Sequence, residues 1–485
     1  IGEAGLSTPL VYLNAPNIER IEDLGLNYSN LTELDLPKLT YAGYASFSEN
    51  KYLAKAKMPS LNSVPDSAFN NCYRLEEVEL DSAVELESSA FENCWLLRDV
   101  YVPDVEIMGD MGFAYCDNLR KISLPNLLRM DGKCNFEGCS TLTKIDLPIL
   151  QNIPEQTFMY CYMLSDINMP KVEQIGYQAF YDTYSLGNIQ FDSLKVLGDE
   201  VFVNSTASEL YAPNLETMGN KVFASYSTWN DTYAQNTNLK TIYAPILKTL
   251  SDETLAYTSG LTELDLPNLK TIGENALYES GVNYLYAPEL ETAESLPVTD
   301  NAVVVVSDKL TNCTYVPTDT SLTVQGEKGS YGEEYADANS LEFIDMNDMG
   351  GSIRVTDAGL RFGYSFYDTQ KKEVEEYGFV YAAGEQDRNE LTVEQIDNES
   401  VLQLVAYNRL THEDETTTFN LVFTDIPQAS YDMEVTARAY VKIDGKYFYS
   451  DVTTRSFNQV ANAVLADDEI DQNTKNTLTK LYEEV

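Results

Sequence analysis

A chain of 485 residues is too long for one compact core, which implies at least two domains. Its 77 acidic against 32 basic residues leave a formal charge of −45, a field that repels phosphate backbones and anionic lipid surfaces and argues against nucleic-acid partners. No run approaches the roughly 18 apolar residues of a membrane span, so no membrane insertion is expected.

The chain opens on Ile1, with no basic-then-apolar segment ahead of it, and reads as a processed or trimmed chain. A repeat begins almost at once. Pro16, Pro37, Pro59, Pro103, Pro125, Pro148, Pro170, Pro213, Pro245, Pro267 and Pro288 each follow a short apolar stretch, and Asp81 and Asp192 hold that place in two more copies. The thirteen copies step by 21 to 23 residues, except for a step of 32 between Pro213 and Pro245.

Leu31-Thr-Glu-Leu34-Asp-Leu36-Pro37-Lys-Leu39 shows the unit, with Phe47 ten residues after the proline. Apolar residues alternate before the proline, which predicts a strand with one buried face. The proline lacks an N–H and ends the strand. A single unit cannot bury its own apolar face, so stacking must do so. Thirteen strands about 4.8 Å apart predict an elongated, curved, parallel sheet on the order of 60 Å long.

Cys72, Cys94, Cys116, Cys139 and Cys161 share the repeat's period in the segment Phe-x-x-Cys, as in Phe69-Asn-Asn-Cys72. Stacked rungs hold such side chains wider apart than a disulfide allows, so a buried, reduced ladder is expected. Cys134 and Cys313 lie off this register.

Side chains beside the buried strand positions form one continuous face, the place where a solenoid carries function. Four tyrosines fall there in the last third: Tyr211, Tyr243, Tyr284 and Tyr286. Elsewhere that ladder is aromatic only at Tyr12 and Tyr101. The extra residues, Tyr226-Ser-Thr-Trp229-Asn-Asp-Thr-Tyr233, belong to the same third. Rigid, amphipathic rings bind sugar faces and peptides, so these tyrosines with Trp229 and Tyr233 are the candidate ligand site. Tyrosine also suits an exposed strand by β propensity alone.

The repeat fades after about residue 300. Residues 1–345 are read as the solenoid with its closing segment, 350–466 as an all-β sandwich and 467–485 as a short helical tail. Met346-Asn-Asp-Met-Gly350-Gly351 reads as the linker. Beyond it Met433, Val435, Ala437, Ala439, Val441 and Ile443 alternate with Glu434, Thr436, Arg438, Tyr440 and Lys442, and Asp444-Gly445 supplies a two-residue hairpin turn. Short strands without long helices predict an antiparallel sandwich of immunoglobulin-like type.

The unit Leu-x-x-Leu-x-Leu-Pro-x-Leu-x-x-Ile-(Gly)-x-x-(Ala)-Phe-x-x-Cys-x-x-Leu resembles the BspA-like leucine-rich repeats of bacterial surface proteins. Asn71-Cys72-Tyr73-Arg74-Leu75 and Ile175-Gly176-Tyr177-Gln178-Ala179-Phe180 carry the likeness, which spans roughly residues 6 to 345. The insertion after Phe223 departs from it. The resemblance implies an α/β-type leucine-rich-repeat solenoid, export to the cell surface of a host-associated bacterium, a role in adhesion, and no catalytic residues in the repeats. Gly359-Leu-Arg-Phe-Gly363, Glu376-Tyr-Gly378 and Ala437-Arg-Ala-Tyr-Val441 are similar to a C-terminal domain of extracellular proteins from anaerobic gut bacteria.

Signals for chemistry are sparse. The one histidine, His412, sits in Thr-His412-Glu413-Asp414-Glu415 and reads as a solvated loop residue. No Gly-x-Ser-x-Gly elbow, phosphate loop or zinc spacing occurs. A glycosidase pair needs a cleft that varying outward residues do not offer. Asp345-Met-Asn347-Asp-Met349-Gly350 begins like a calcium loop, but fails at Met349 and Thr356. No catalytic residue, metal or cofactor is expected. The sequence points to an adhesin-like protein that binds a glycan or a protein, with an accessory or spacer region of a larger extracellular enzyme as the alternative.

Overall fold

The computed structural model describes residues 1–2, 10–227, 232–297, 299–315, 321–396 and 400–483. The chain divides into two compact units, Ile1–Val305 with Lys309–Leu322, and Val306–Asp308 with Thr323–Val485.

In the first unit, twelve of the thirteen copies open with a three-residue strand, from Glu33–Asp35 to Tyr284–Tyr286. The copy at Pro16 forms none among the described residues. Neighbouring strands pair in parallel, as in Glu33↔Lys55, Leu34↔Ala56 and Asp35↔Lys57. Except in Tyr284–Tyr286, the central residue points inward and its two flanking residues point out, which is the alternation read from the sequence. One more rung, Val303–Val305, extends the row beyond residue 300. It escapes the pattern because all three of its residues are apolar and buried.

Two further lines of hydrogen bonds run along the stack. Past each of the thirteen proline positions, and past the added rung, lies a two-residue strand, fourteen among the described residues, from Arg20–Ile21 to Asn312–Cys313. These pair in parallel too, as in Gln174↔Val196 and Ile175↔Leu197. The phenylalanine turns make the third line: Phe47 donates its N–H to the Ala68 carbonyl, Phe69 to Ala90 and Phe91 to Gly112, at 3.0, 2.8 and 2.9 Å. Each turn uses the left-handed region, as at Ser67 and Asn71 or Ser89 and Asn93, which folds the chain back within a few residues. A rung of about 22 residues is thereby spent on strands and turns, and no helix forms among this unit's described residues. Gly176 sits where rungs approach closely, since a Cβ there would lie 2.8 Å from the Glu155 nitrogen.

The core is a row of stacked rings. Phe47, Phe69, Phe91, Phe113, Phe136, Phe158, Phe180, Phe202 and Phe223 follow one another with centroids 5.1 to 5.6 Å apart. All nine are fully buried. Burying each stabilises the stack by roughly 1.5–3 kcal/mol.

Beside the rings runs the cysteine ladder. All seven cysteines are free thiols and buried. The periodic five do more than fill space: the Sγ of Cys72, Cys94, Cys116, Cys139 and Cys161 donates to the phenylalanine carbonyl of the preceding rung, at 3.1–3.3 Å. Asn50, Thr183, Asn236 and Thr258 hold the cysteine place in other rungs and bond within their own rung, Asn50 also reaching back to the Leu26 carbonyl. They donate to the carbonyls of Phe47, Phe180, Phe223 and Leu255. Cys134 is a left-handed turn residue near Gln156 Oε1, at 3.6 Å. Cys313 lies in the last two-residue strand, beside Ala293.

The second unit is antiparallel apart from one pair. Its strands are β1 (Thr323–Gly326), β2 (Glu342–Arg354), β3 (Gly359–Asp368), β4 (Val374–Ala383), β5 (Leu402–Val405), β6 (Arg409–Thr411), β7 (Thr417–Phe423), β8 (Val435–Ile443), β9 (Lys446–Tyr449) and β10 (Thr453–Arg455). One sheet runs β1-β2-β3-β7-β6, with β1 and β2 parallel, and the other β5-β4-β8-β9, with β10 also on β8. Aromatic rings join them: Tyr364 and Phe419 lie 5.7 and 5.4 Å from Phe379, and Tyr381 lies 5.4 Å from Phe423.

Three expectations for this unit change. Met346–Gly351 is no linker but part of β2, where the register slips between Asp348 and Gly351. Its paired glycines mark a β-bulge, and Asp348 there binds Arg455 and Thr453. The polar face of β8 is covered: Arg438 is buried and donates to the carbonyls of Ser450, Arg388 and Leu391, and Tyr440 packs with Leu391 and Val401. The range read as sandwich ends in a helix, α1 (Phe457–Ala466), opened by a Ser456–Gln459 capping box, and a second helix, α2 (Gln472–Glu483), lies in the tail. The hairpin turn at Asp444-Gly445 forms as read, with both φ angles positive.

Asp345 on β2 is buried, with its Oδ2 accepting from the Lys328 N–H at 3.2 Å and its Oδ1 unpartnered. Burial pushes its carboxyl up to about 6. The folded state therefore holds this proton more tightly than the unfolded chain, and stability falls as pH rises from about 4 to about 6, by about 3 kcal/mol. Asp345→Asn keeps the shape and removes the charge. It is expected to raise the melting temperature at pH 8 and to leave it unchanged at pH 3.5. Equal shifts at both pH values would contradict this.

Candidate functional site

The outward strand positions of the early rungs are filled by charges that satisfy one another. Lys55 reaches Glu77 at 3.0 Å and Lys57 reaches Glu79 at 2.7 Å, each one rung away. Those carboxylates hold both ammonium groups above the usual lysine range. Such exposed pairs contribute little stability.

Further along, the face changes character. Tyr211 and Tyr243 end the strands Glu209–Tyr211 and Thr241–Tyr243, which pair directly despite the 32-residue step between them. Their rings stack with centroids 5.0 Å apart and planes within 5°. They remain 43% and 51% exposed, so the stacked pair stands as one exposed aromatic ridge. Glu209 and Thr241 flank it on the same strands.

The other tyrosines do not extend that surface. The next strand, Glu263–Asp265, puts a carboxylate where a third ring would stand. Tyr284 is half-buried, and Tyr286, expected to be exposed, is only 9% so. Tyr286 pairs with buried Val305, in the added rung that no longer alternates outward polar with inward apolar residues. Trp229 lies outside the described residues. Tyr233 stands in a hairpin of Ser225–Ser227 with Thr232–Ala234, opposite Tyr226, and its side chain too is outside them. The hairpin leaves the rung after the Phe223 turn and rejoins it at Asn236.

A second aromatic row was missed by scanning the strands alone. It follows the cysteine position: Tyr73 and Trp95 in successive rungs, then Tyr162 and Tyr184. Tyr73 and Trp95 pack at 4.3 Å, and Tyr162 and Tyr184 stack at 5.4 Å with planes 4° apart. Trp95 is 48% exposed. Aligning the residues after each Phe-x-x-Cys would have revealed this row. His412 is exposed, with Nε2 3.1 Å from the Thr418 hydroxyl.

A stack of parallel strands and left-handed turns, with aromatic rings standing on its outward face, defines a leucine-rich-repeat solenoid. The BspA type leucine rich repeat region matches residues 7–98, 84–209 and 228–295, in six copies, and the chain belongs to that family. No curated protein matches it. Among solved structures it is similar to a leucine rich cell surface protein of Faecalibacterium prausnitzii A2-165, at 14% identity over 64% of this chain and 87% of that one, with a TM-score of 0.29. It is also similar to an internalin of Listeria monocytogenes, at 12% identity over 59% and 75%, with a TM-score of 0.25. Among the described residues no helix is long and apolar enough to cross a membrane.

Proposed function

We propose that this is a non-catalytic, adhesin-like binding protein of the bacterial cell surface or exterior, which takes a glycan or a protein on the outward face of its rung strands. The Tyr211–Tyr243 ring pair carries the reading. Two parallel rings held by hydrogen-bonded strands are already ordered, so a ligand that stacks on them costs little side-chain entropy. Membership of a leucine-rich-repeat family, and a net charge of −45 that favours solubility, fit a protein displayed outside the cell.

The test is an array of glycans and host surface proteins probed with the purified chain. For any ligand found, Tyr211→Ala with Tyr243→Ala is expected to weaken binding by about tenfold or more, in line with roughly 0.5–1.5 kcal/mol per ring contact. The melting temperature should hardly move, because both rings are exposed. Unchanged affinity would place the site elsewhere on the chain.

A further inference from the structure

The half-buried Tyr73 and exposed Trp95 adjoin a depression of about 610 Å³, walled by Arg98, Asn118, Arg120, Lys121, Lys144 and Asp166 among others. The two features share a wall, since the Asn118 N–H donates to the Trp95 carbonyl at 3.1 Å. Two of the cations are already engaged: Arg98 with Glu76 and Asp99 at 2.9 and 3.1 Å, and Lys144 with Asp166 at 2.6 Å. Arg120 and Lys121 are exposed and have no ion pair among the described residues. Lys121 also stands directly opposite Lys144 in the strand ladder, and the Lys144 ammonium is held by Asp166. The two carboxylates of the same wall, Asp99 and Asp166, are those that bind Arg98 and Lys144.

On the other side, Tyr73 and Trp95 present rings in two successive rungs, with Lys51 over Tyr73 at 5.9 Å. A ligand that suits both features has apolar ring faces in series and negative charge at its edge. We propose that this corner is a second binding site, for a sugar chain bearing anionic groups, carboxylate or sulfate, whose rings lie on Tyr73 and Trp95 and whose charge meets Arg120 and Lys121. The overall negative charge does not forbid it. At physiological salt, fields fade over about 8 Å, so the nearest cations decide contact.

Titration calorimetry of the whole chain tests this with four probes of similar length: an oligogalacturonate, a chondroitin sulfate oligosaccharide, a neutral galactan oligosaccharide and an oligoglutamate. At least one anionic sugar should bind, more weakly as salt rises, and whichever binds identifies the anionic group. Arg120→Ala with Lys121→Ala, and separately Trp95→Ala, should each weaken it about tenfold or more. Arg120→Lys should retain most of the affinity, and Tyr211→Ala with Tyr243→Ala should leave it unchanged, which separates this site from the first. The proposal is overturned if neither anionic sugar binds, if the neutral sugar binds equally well, or if binding is lost in the Tyr211 and Tyr243 variant but not in the Trp95 variant. Oligoglutamate binding as tightly, with no effect of Trp95→Ala, would make the site one for acidic peptides and overturn it as well.

Discussion

Phe113→Ala is expected to lower the unfolding free energy of the repeat unit by about 3–5 kcal/mol. The ring is fully buried and stacks on Phe91 and Phe136, at 5.1 and 5.6 Å. Deleting it opens a cavity shared with both neighbouring rungs. Those rungs cannot collapse into it, because their backbones are fixed along three lines of hydrogen bonds. In a stack, stability is a sum of rung terms and nearest-neighbour terms, so position matters. Phe47 has a phenylalanine on one side only, next to Phe69, and Phe47→Ala should cost less. Urea denaturation followed by circular dichroism gives both values. A loss below about 1 kcal/mol at Phe113, or an equal loss at Phe47, would show that the ring row does not hold the stack together.

Treated at pH 8 with a maleimide, the native chain is expected to take up no label at Cys72, Cys94, Cys116, Cys139 or Cys161, and to take it up at all five once unfolded. Burial pushes the thiols of Cys72 and Cys139 up to about 12, from an ordinary 9.0, and raises Cys94, Cys116 and Cys161 as well. For a thiol at about 12 the thiolate, which is the reacting species, is about a thousandfold scarcer than in an ordinary cysteine. A thiol whose pKa is raised in the fold keeps its proton there more firmly than in the unfolded chain. The stack therefore loses stability as pH climbs from about 9 towards 12, five times over. Peptide mass spectrometry reads the labelling site by site. Modification of these cysteines in the folded chain at the rate of a free thiol would contradict the buried ladder.

The repeat and its inward face were legible in the sequence because they depend on spacing. A period of about 22 residues and an apolar alternation before each proline leave one way to bury the leucines, by stacking parallel strands. The cysteine register followed from the same count. Its chemistry did not, because a thiol that donates to a carbonyl looks in sequence like a small apolar residue; only the substitutions Asn50, Thr183 and Thr258 hint at it. Where periodicity ends, so did the reading. Val303–Val305 lacks an outward polar residue, and β8 carries polar residues that the structure covers from both sides. The candidate site divides in the same way. That Tyr211 and Tyr243 share a face was readable from their register. That they touch, that Asp265 interrupts the row and that Tyr286 is buried depend on which rungs are neighbours and on what covers the last strand. Asn118, in the wall that holds Arg120 and Lys121, meets the Trp95 carbonyl only through folding, because successive rungs stack residues some 22 positions apart. Register is a property of the chain, whereas exposure and neighbourhood are properties of the stack, and a binding surface is made of the latter.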